Sequence, residues 1–187
     1  MRFYLAILLL CAPPSLAQTA CDDVWFTRNL HFDRAGYCFG STLGQAMFDN
    51  SDCTGTSVTL PPKAKAQVDA IRALETRHQC KIDTRRSAID IDDLDIRRTL
   101  VDLPIRDEFE PGCLGWRGAP LPLRAGIGAH TPVTGQISPG DYVLFSFQPV
   151  DGWSYVTVHA HNFSVLKTGG WVSDTAFPED ACDAWAG

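Results

Sequence analysis

The N-terminal part of the chain is organised around residues 21–53, CDDVWFTRNLHFDRAGYCFGSTLGQAMFDNSDC. Asp22 and Asp23 precede an aromatic and apolar run, and carboxylates at a helix start accept hydrogen bonds from its free backbone N–H groups. Gly36 stands where a residue in the left-handed conformation ends a helix. The pattern therefore predicts a helix that begins at Asp22 and Asp23 and stops at Gly36.

The residues that follow also favour helices. Residues 38–53 are rich in glycine and polar side chains around one short apolar run, which is typical of a loop with a single helical turn. Pro62 then opens an amphipathic segment in which Val68, Ile71 and Leu74 share one face. We expect this second long helix to pack on the first.

Residues 1–17 have the features of a cleaved secretory signal. Arg2 precedes an apolar run that is too short to span a bilayer, and Ser15 and Ala17 are small residues where a signal peptidase reads. The new N-terminus would be Gln18. We therefore expect a periplasmic or secreted protein without membrane insertion.

Six cysteines are left once Cys11 is removed with the signal. An even number in an exported chain predicts three disulfides, although six cysteines allow many pairings. A zinc site or a catalytic thiol is disfavoured, because no two cysteines have C-x-x-C spacing and an oxidising compartment disfavours free thiols. We predict the pairs that would each lie within one unit: Cys21 with Cys80, Cys38 with Cys53, and Cys113 with Cys182.

Residues 81–112 differ from both flanking parts. Residues 87–92 alternate polar and apolar side chains, and residues 93–96 continue in a similar way, which predicts a half-exposed strand. The acidic cluster also suggests calcium, but it lacks the glycine and the terminal glutamate of an EF-hand loop. We interpret this stretch as a connector.

The C-terminal part reads as β-structure. Short runs rich in Val, Tyr, Phe and Trp are separated by Pro-Gly, Gly-Gly and Asp-Gly pairs, with no helical period. The predicted strands are residues 143–147, 153–159 and 170–172.

The net charge argues against some partners. The chain has 16 Lys and Arg against 22 Asp and Glu, a net charge of −6, and losing Arg2 with the signal makes it −7. A negative chain gains no affinity for phosphate backbones from counterion release, so we expect no nucleic acid partner.

Two stretches resemble known families. Residues 32–39, FDRAGYCF, resemble the signature of the bacterial extracytoplasmic YARHG domain, whose central run falls on residues 32–36. Residues 115–177 resemble a bacterial Src-homology-three-like barrel in the order of their glycine, Pro-Gly-Asp, Asp-Gly-Trp and Gly-Trp motifs. They depart from it at Ile127, where proline is common, and in a longer excursion over residues 159–169.

The resulting fold class is α+β. Residues 1–17 are the signal and residues 18–80 a small disulfide-stapled helical domain that is YARHG-like. Residues 81–112 are the connector, and residues 113–187 form a small antiparallel β-barrel domain that is Src-homology-three-like.

Our leading functional hypothesis is a non-catalytic exported envelope protein without a cofactor. The barrel resemblance implies binding of peptidoglycan or cell-wall peptides, and another exported protein is the other partner considered. The candidate ligand contacts are Arg28, Asn29, Arg34, Trp153 and Trp171.

Two alternatives stay open. A small secreted hydrolase would use the acidic loop of Asp107, Glu108 and Glu110, or the pair His159 and His161, which can also be read as metal ligands because alternate strand residues share a face. No Gly-x-Ser-x-Gly or His-Glu-x-x-His motif supports catalysis. The second alternative is an effector or inhibitor that acts on a partner protein.

Overall fold

The computed structural model describes residues 16–163 and 165–187. The predicted secretory signal, residues 1–17, lies outside this description except for its last two residues, and stays a prediction. In the described part, none of the helices combines the length and the apolar character that crossing a membrane requires. The architecture is α+β, with helices in the N-terminal part and one antiparallel sheet in the C-terminal part.

Helices occupy the first half of the chain. The four that the described residues form are α1 (Leu16–Asp33), α2 (Thr42–Met47), α3 (Pro62–Arg77) and α4 (Leu94–Thr99). The expected helical turn between Cys38 and Cys53 is α2, which Ser41 caps by accepting a hydrogen bond from the Gly44 N–H. The apolar stripe of α3 is also confirmed, because Val68, Ile71 and Leu74 are buried.

The predicted start of α1 is wrong, and its predicted end is confirmed. The helix begins at Leu16, so Asp22 and Asp23 lie inside it; both are buried and bind arginines instead of free N–H groups. Gly36 has φ +82°, and the N–H of Tyr37 donates to the carbonyl of Phe32 at 3.0 Å. Glycine is suited to this closure because it has no Cβ that opposes a positive φ.

The predicted strand at residues 87–96 is also wrong. The described chain turns through this stretch and then forms α4. Alternation of polar and apolar residues suggested a strand, but Asp93 and Arg97 pair at the four-residue spacing of a helix. The same two side chains also bind Asp23 of α1 and Tyr155 of the sheet, and these long-range contacts favour the helix over a strand.

Seven strands form a single sheet. They are β1 (Gly112–Trp116), β2 (Leu121–Arg124), β3 (Val133–Ile137), β4 (Tyr142–Leu144), β5 (Trp153–His159), β6 (Leu166–Ser173) and β7 (Cys182–Ala186). Their order is β3-β2-β6-β5-β4-β1-β7 and each pairing is antiparallel. The end strands β3 and β7 do not pair within the described residues, so the sheet is open and the predicted barrel is not confirmed. The predicted strand at residues 143–147 ends early, at Leu144.

The main apolar core joins the helices to the sheet. Phe26 from α1, Leu103 from the segment after α4, and Tyr155 and Trp171 from the sheet belong to one buried cluster. A second cluster, which includes Val143, lies within the sheet. The stretch interpreted as a connector therefore contributes to the core that the two halves share.

The three predicted disulfides are present. Cys21 pairs with Cys80, Cys38 with Cys53, and Cys113 with Cys182, with Cα atoms 5.4, 5.0 and 5.4 Å apart. The first ties α1 to the segment that follows α3, and the third ties β1 to β7. Together with the YARHG-like motif, these bridges fit an extracytoplasmic protein.

Candidate functional site

A buried charge network connects α1, α4 and the sheet. The guanidinium group of Arg97, only 1% exposed, donates to Asp23 at 2.8 Å and to Asp93 at 2.7 Å. It also donates to the Thr27 hydroxyl at 3.1 Å, and the Tyr155 hydroxyl donates to Asp93 at 2.8 Å. One guanidinium group thus binds both buried carboxylates, and the Tyr155 hydroxyl adds a second donor to Asp93.

The electrostatics of this network keep its members in one protonation state. Burial alone would raise the pKa of Asp93, but Arg97 and the Tyr155 hydroxyl together hold that pKa below its ordinary value. Burial and the Asp93 charge raise the pKa of Tyr155 well above its ordinary value. Burial opposes the charge on Arg97, yet Asp23 and Asp93 outweigh it and raise the pKa of Arg97. Asp93 and Arg97 are therefore a charged pair, and Tyr155 is a neutral hydroxyl donor to it.

A cavity of about 300 Å³ opens above this network. Arg97 and Arg106 line it, and Arg106 forms an ion pair with Glu110. His159 also lines the cavity, with its Nε2 3.1 Å from the Thr157 hydroxyl; burial lowers its pKa. Since the arginines already have carboxylate partners, this cavity reads as the exposed margin of a structural ion-pair network.

A second feature is an open aromatic groove of about 350 Å³, which we call the aromatic groove. Its large rings come from five positions along the chain, of which Phe147 is buried. Phe109 and Trp185 are 75% and 46% exposed, whereas Phe145 and Phe177 are half-buried beneath them. The residues that line it are Asp107, Phe109, Pro111, Phe145, Phe147, Pro149, Ser154, Asp174, Phe177 and Trp185.

Ring contacts fix the shape of this groove. The rings of Phe145 and Phe177 meet edge to face with centroids 4.9 Å apart, and Trp116 supports Phe177 from the interior at 5.1 Å. The ring of Trp185 lies 6.1 Å from Phe145, and its indole N–H donates to the Glu179 carbonyl at 3.0 Å. The groove therefore has a supported floor and an anchored wall, with apolar surface left open to solvent.

Two carboxylates lie in the walls of the aromatic groove. Asp107 accepts a hydrogen bond from the backbone N–H of Glu108, and Asp174 accepts one from the Ser154 hydroxyl at 2.7 Å. No lysine, arginine or histidine lines the groove. The site therefore combines aromatic faces with negative charge.

The polar residues predicted as ligand contacts lie on α1 or directly after it, and each has a partner within the protein. Arg28 binds Glu75 on α3 at 3.0 Å, and Asn29 donates to the carbonyl of Trp25 at 2.8 Å. Arg34 donates to the carbonyl of Leu100 at 2.7 Å. Arg28 and Arg34 thus connect α1 to neighbouring segments, Asn29 bonds within α1, and none of the three lines the aromatic groove.

The two predicted tryptophan contacts lie in or against the core. Trp171 is 1% exposed, and its indole N–H donates to the Asp102 carbonyl at 2.8 Å. Trp153 is half-buried and packs against the same core cluster. Neither belongs to the aromatic groove, which contains a tryptophan that the sequence analysis did not select.

The hydrolase alternative is only partly assembled, because Glu110 and His159 line the cavity above the Arg97 network, whereas Asp107, Glu108 and His161 do not. His159 bonds Thr157 on its strand, whereas the ring of His161 meets Tyr142 with centroids 5.0 Å apart. In the acidic loop, Glu108 contacts His78 at 3.1 Å and Glu110 pairs with Arg106. Among the residues that the structure describes, no group of three His, Cys, Asp or Glu side chains is placed to hold a metal ion.

Sequence reasoning missed the aromatic groove because its residues are far apart in the chain. Phe109 was passed over as part of an acidic loop, and Trp185 lies beyond residues 115–177, where the barrel resemblance ends. The sequence does contain a local sign that these two aromatic residues are exposed. Phe109 stands alone among acidic residues and Trp185 among small residues, so neither fits an apolar core pattern.

Comparison with protein families gives one match in each part of the chain, and the match in the second part does not confirm the Src-homology-three-like resemblance. The YARHG domain model matches residues 3–76, which confirms that resemblance. A model described as a domain of unknown function (DUF4453) matches residues 79–187. No curated protein and no solved structure gives a significant match.

Proposed function

The chain belongs to the family described as domain of unknown function (DUF4453), and we propose that this member is a non-catalytic exported protein that binds a peptide ligand of the bacterial cell envelope. The ligand classes are the peptides of peptidoglycan and segments of another exported protein. Export is supported by the three disulfides and the YARHG match. The sheet would be an open variant of the Src-homology-three-like barrel.

The observation that carries this proposal is the aromatic groove. Phe109 and Trp185 expose large apolar surface above the half-buried rings of Phe145 and Phe177. Aromatic side chains that have few rotamers and stay exposed beside a pocket are typical anchors of recognition sites. The charged cavity is a weaker candidate, because its arginines are already paired.

The test compares groove and control variants in co-sedimentation with purified peptidoglycan sacculi and in binding to soluble peptides. Trp185→Ala removes one wall of the groove. Val133→Ala is the control, because Val133 is 58% exposed on β3, at the opposite end of the strand order.

We expect Trp185→Ala to weaken binding roughly tenfold or more and Val133→Ala to leave it unchanged. Point variants are preferable to truncation, because the helices and the sheet share one core. The proposal is contradicted if Trp185→Ala binds sacculi and peptides as tightly as the unmodified protein does. It is also contradicted if the unmodified protein binds neither.

A further inference from the structure

We propose that the ligand of the aromatic groove is an extended, cationic segment of another exported protein, which lies along the free edge of β7 with a lysine or arginine side chain between Asp107 and Asp174. This inference rests on the proposed binding function and specifies the partner. Three features of the described residues carry it: the charge of the groove, its aromatic faces and the position of β7.

The charge around the groove selects a cation. Asp107 and Asp174 line it, and no basic residue does. The nearby basic side chains have carboxylate partners, since Arg106 pairs with Glu110, and Arg77 and His78 contact Glu108. The whole chain has a net charge of −6. A cationic segment is therefore attracted to this face, and an anionic one is repelled.

The aromatic rings favour the same chemistry. A lysine or arginine side chain has an apolar stem and a charged head. The stem can cover Phe145 and Phe177, while the head can lie over an aromatic face and reach a carboxylate. The groove thus offers both kinds of contact that such a side chain makes.

The position of β7 favours an extended backbone. This strand is last in the sheet order and pairs only with β1 among the described strands. Residues 183–186 are exposed. The unpaired groups of an edge strand are a template for another strand, and every second side chain of an added strand points to the same face. Because Trp185 belongs to both β7 and the groove, one segment can use both.

The same edge argues for a protein segment over a wall peptide. Adding a strand to β7 needs a run of L-residues, because strand twist follows from their chirality. The short stem peptides of a cell wall contain D-residues and cannot continue the ladder. Binding to sacculi therefore tests the alternative ligand, a peptide of the cell wall.

The experiment measures binding of two short, acetylated and amidated peptides of alternating threonine and valine. One has two central lysines, and its counterpart has glutamine at both positions. We expect the full-length protein to bind the lysine peptide roughly tenfold more tightly than the glutamine peptide. We also expect hydrogen exchange of the β7 backbone to slow when the lysine peptide is bound.

Two double variants with the same change in net charge separate the effect of the groove carboxylates from that of the overall charge. Asp107→Asn with Asp174→Asn keeps the carbonyl oxygens that accept from Glu108 and Ser154, so the loops should be preserved. This double variant should bind both peptides equally. The control double variant, Asp69→Asn with Asp95→Asn, makes the same change in net charge on α3 and α4 and should keep the lysine preference.

Each of three results in the peptide experiment would overturn this inference: equal binding of the two peptides by the unmodified protein, a lysine preference that survives in the groove double variant, or unchanged exchange at β7. Binding to sacculi that depends on Trp185, with no binding to either peptide, would also overturn it and leave the proposed function standing. If the protein binds neither sacculi nor peptides, or binds them independently of Trp185, both the proposed function and this inference are wrong.

Discussion

The hydroxyl group of Tyr155 donates a hydrogen bond of 2.8 Å to Asp93, although 62 residues separate them in sequence. Tyr155 lies on β5 and Asp93 directly precedes α4, so the bond connects the sheet to the helical part. Arg97 binds the same carboxylate and also Asp23 of α1. The two halves are therefore joined through a polar network as well as through apolar packing.

Removal of the Arg97 charge should be strongly destabilising. Arg97→Met leaves the buried carboxylates of Asp23 and Asp93 without their shared cation, and such a change costs about 3 to 5 kcal/mol. The control is Arg85→Met, because Arg85 pairs with Asp83 at the surface and its side chain is 89% exposed; solvent screens such a pair, so its loss should change stability little. Urea denaturation measures both. A loss below about 1 kcal/mol for Arg97→Met would contradict a central role for the network.

Features set by local sequence were predictable. Gly36 ends α1 because the closure needs a positive φ, which glycine adopts without strain. The apolar stripe of α3 follows from the spacing of its apolar residues. The number of disulfides followed from the six cysteines beyond the predicted signal, and their pairing from placing each bridge within one unit. In each case the physical cause lies within a few residues or in a simple inventory.

Features set by distant partners were not predictable from one sequence. Asp22 and Asp23 resemble helix caps until Arg86 and Arg97 are placed beside them. Residues 87–96 alternate like a strand, but the pairing of Arg97 with two carboxylates favours a helix there. The aromatic groove was missed for the same reason, since its rings meet only after the sheet has formed.

His31 should make the folded state less stable in mild acid. Its side chain is 8% exposed, its Nε2 has no hydrogen-bond partner, and burial, with a smaller effect of Arg34, lowers its pKa from 6.5 to about 4. The unfolded chain therefore binds a proton between these values that the folded chain does not. Stability is fully present above pH 6.5 and falls as the pH drops toward 4, by up to about 3 kcal/mol.

The variant His31→Phe tests this dependence. A phenyl ring keeps the apolar volume and has no group that titrates. Most of the change in the free energy of unfolding between pH 6.5 and 4 should therefore disappear. Some slope should persist, because burial also lowers the pKa of His159. Denaturant midpoints measured across this range give the answer. An unchanged slope in His31→Phe would mean that another group causes it.

The three disulfides should differ in their contribution to stability. The Cys38–Cys53 bridge spans 15 residues and the Cys113–Cys182 bridge spans 69. In the chain-entropy model, these closures contribute about 3 and about 4.5 kcal/mol. Replacing Cys113 and Cys182 by alanine should therefore lower the free energy of unfolding more than replacing Cys38 and Cys53. When reductant is present throughout, the free energy of unfolding of both variants should approach that of the reduced unmodified protein. A larger loss for the short loop would contradict the model.

The helical part and the sheet should unfold together. Phe26, Leu103, Tyr155 and Trp171 share one buried cluster, so neither half retains its core when the other is lost. Far-ultraviolet circular dichroism, which reports mainly the helices, and near-ultraviolet circular dichroism, which reports the aromatic core, should give coincident transitions.

Leu103→Ala tests the coupling directly, because Leu103 lies between the two halves and is 1% exposed. Truncating a fully buried leucine costs about 2 to 5 kcal/mol, and both signals should shift by the same amount. Val101→Ala is the matched control, since Val101 is 58% exposed two residues earlier, and it should change little. Two separate transitions, or a shift confined to one signal, would show that the halves are independent and that the shared cluster does not couple them.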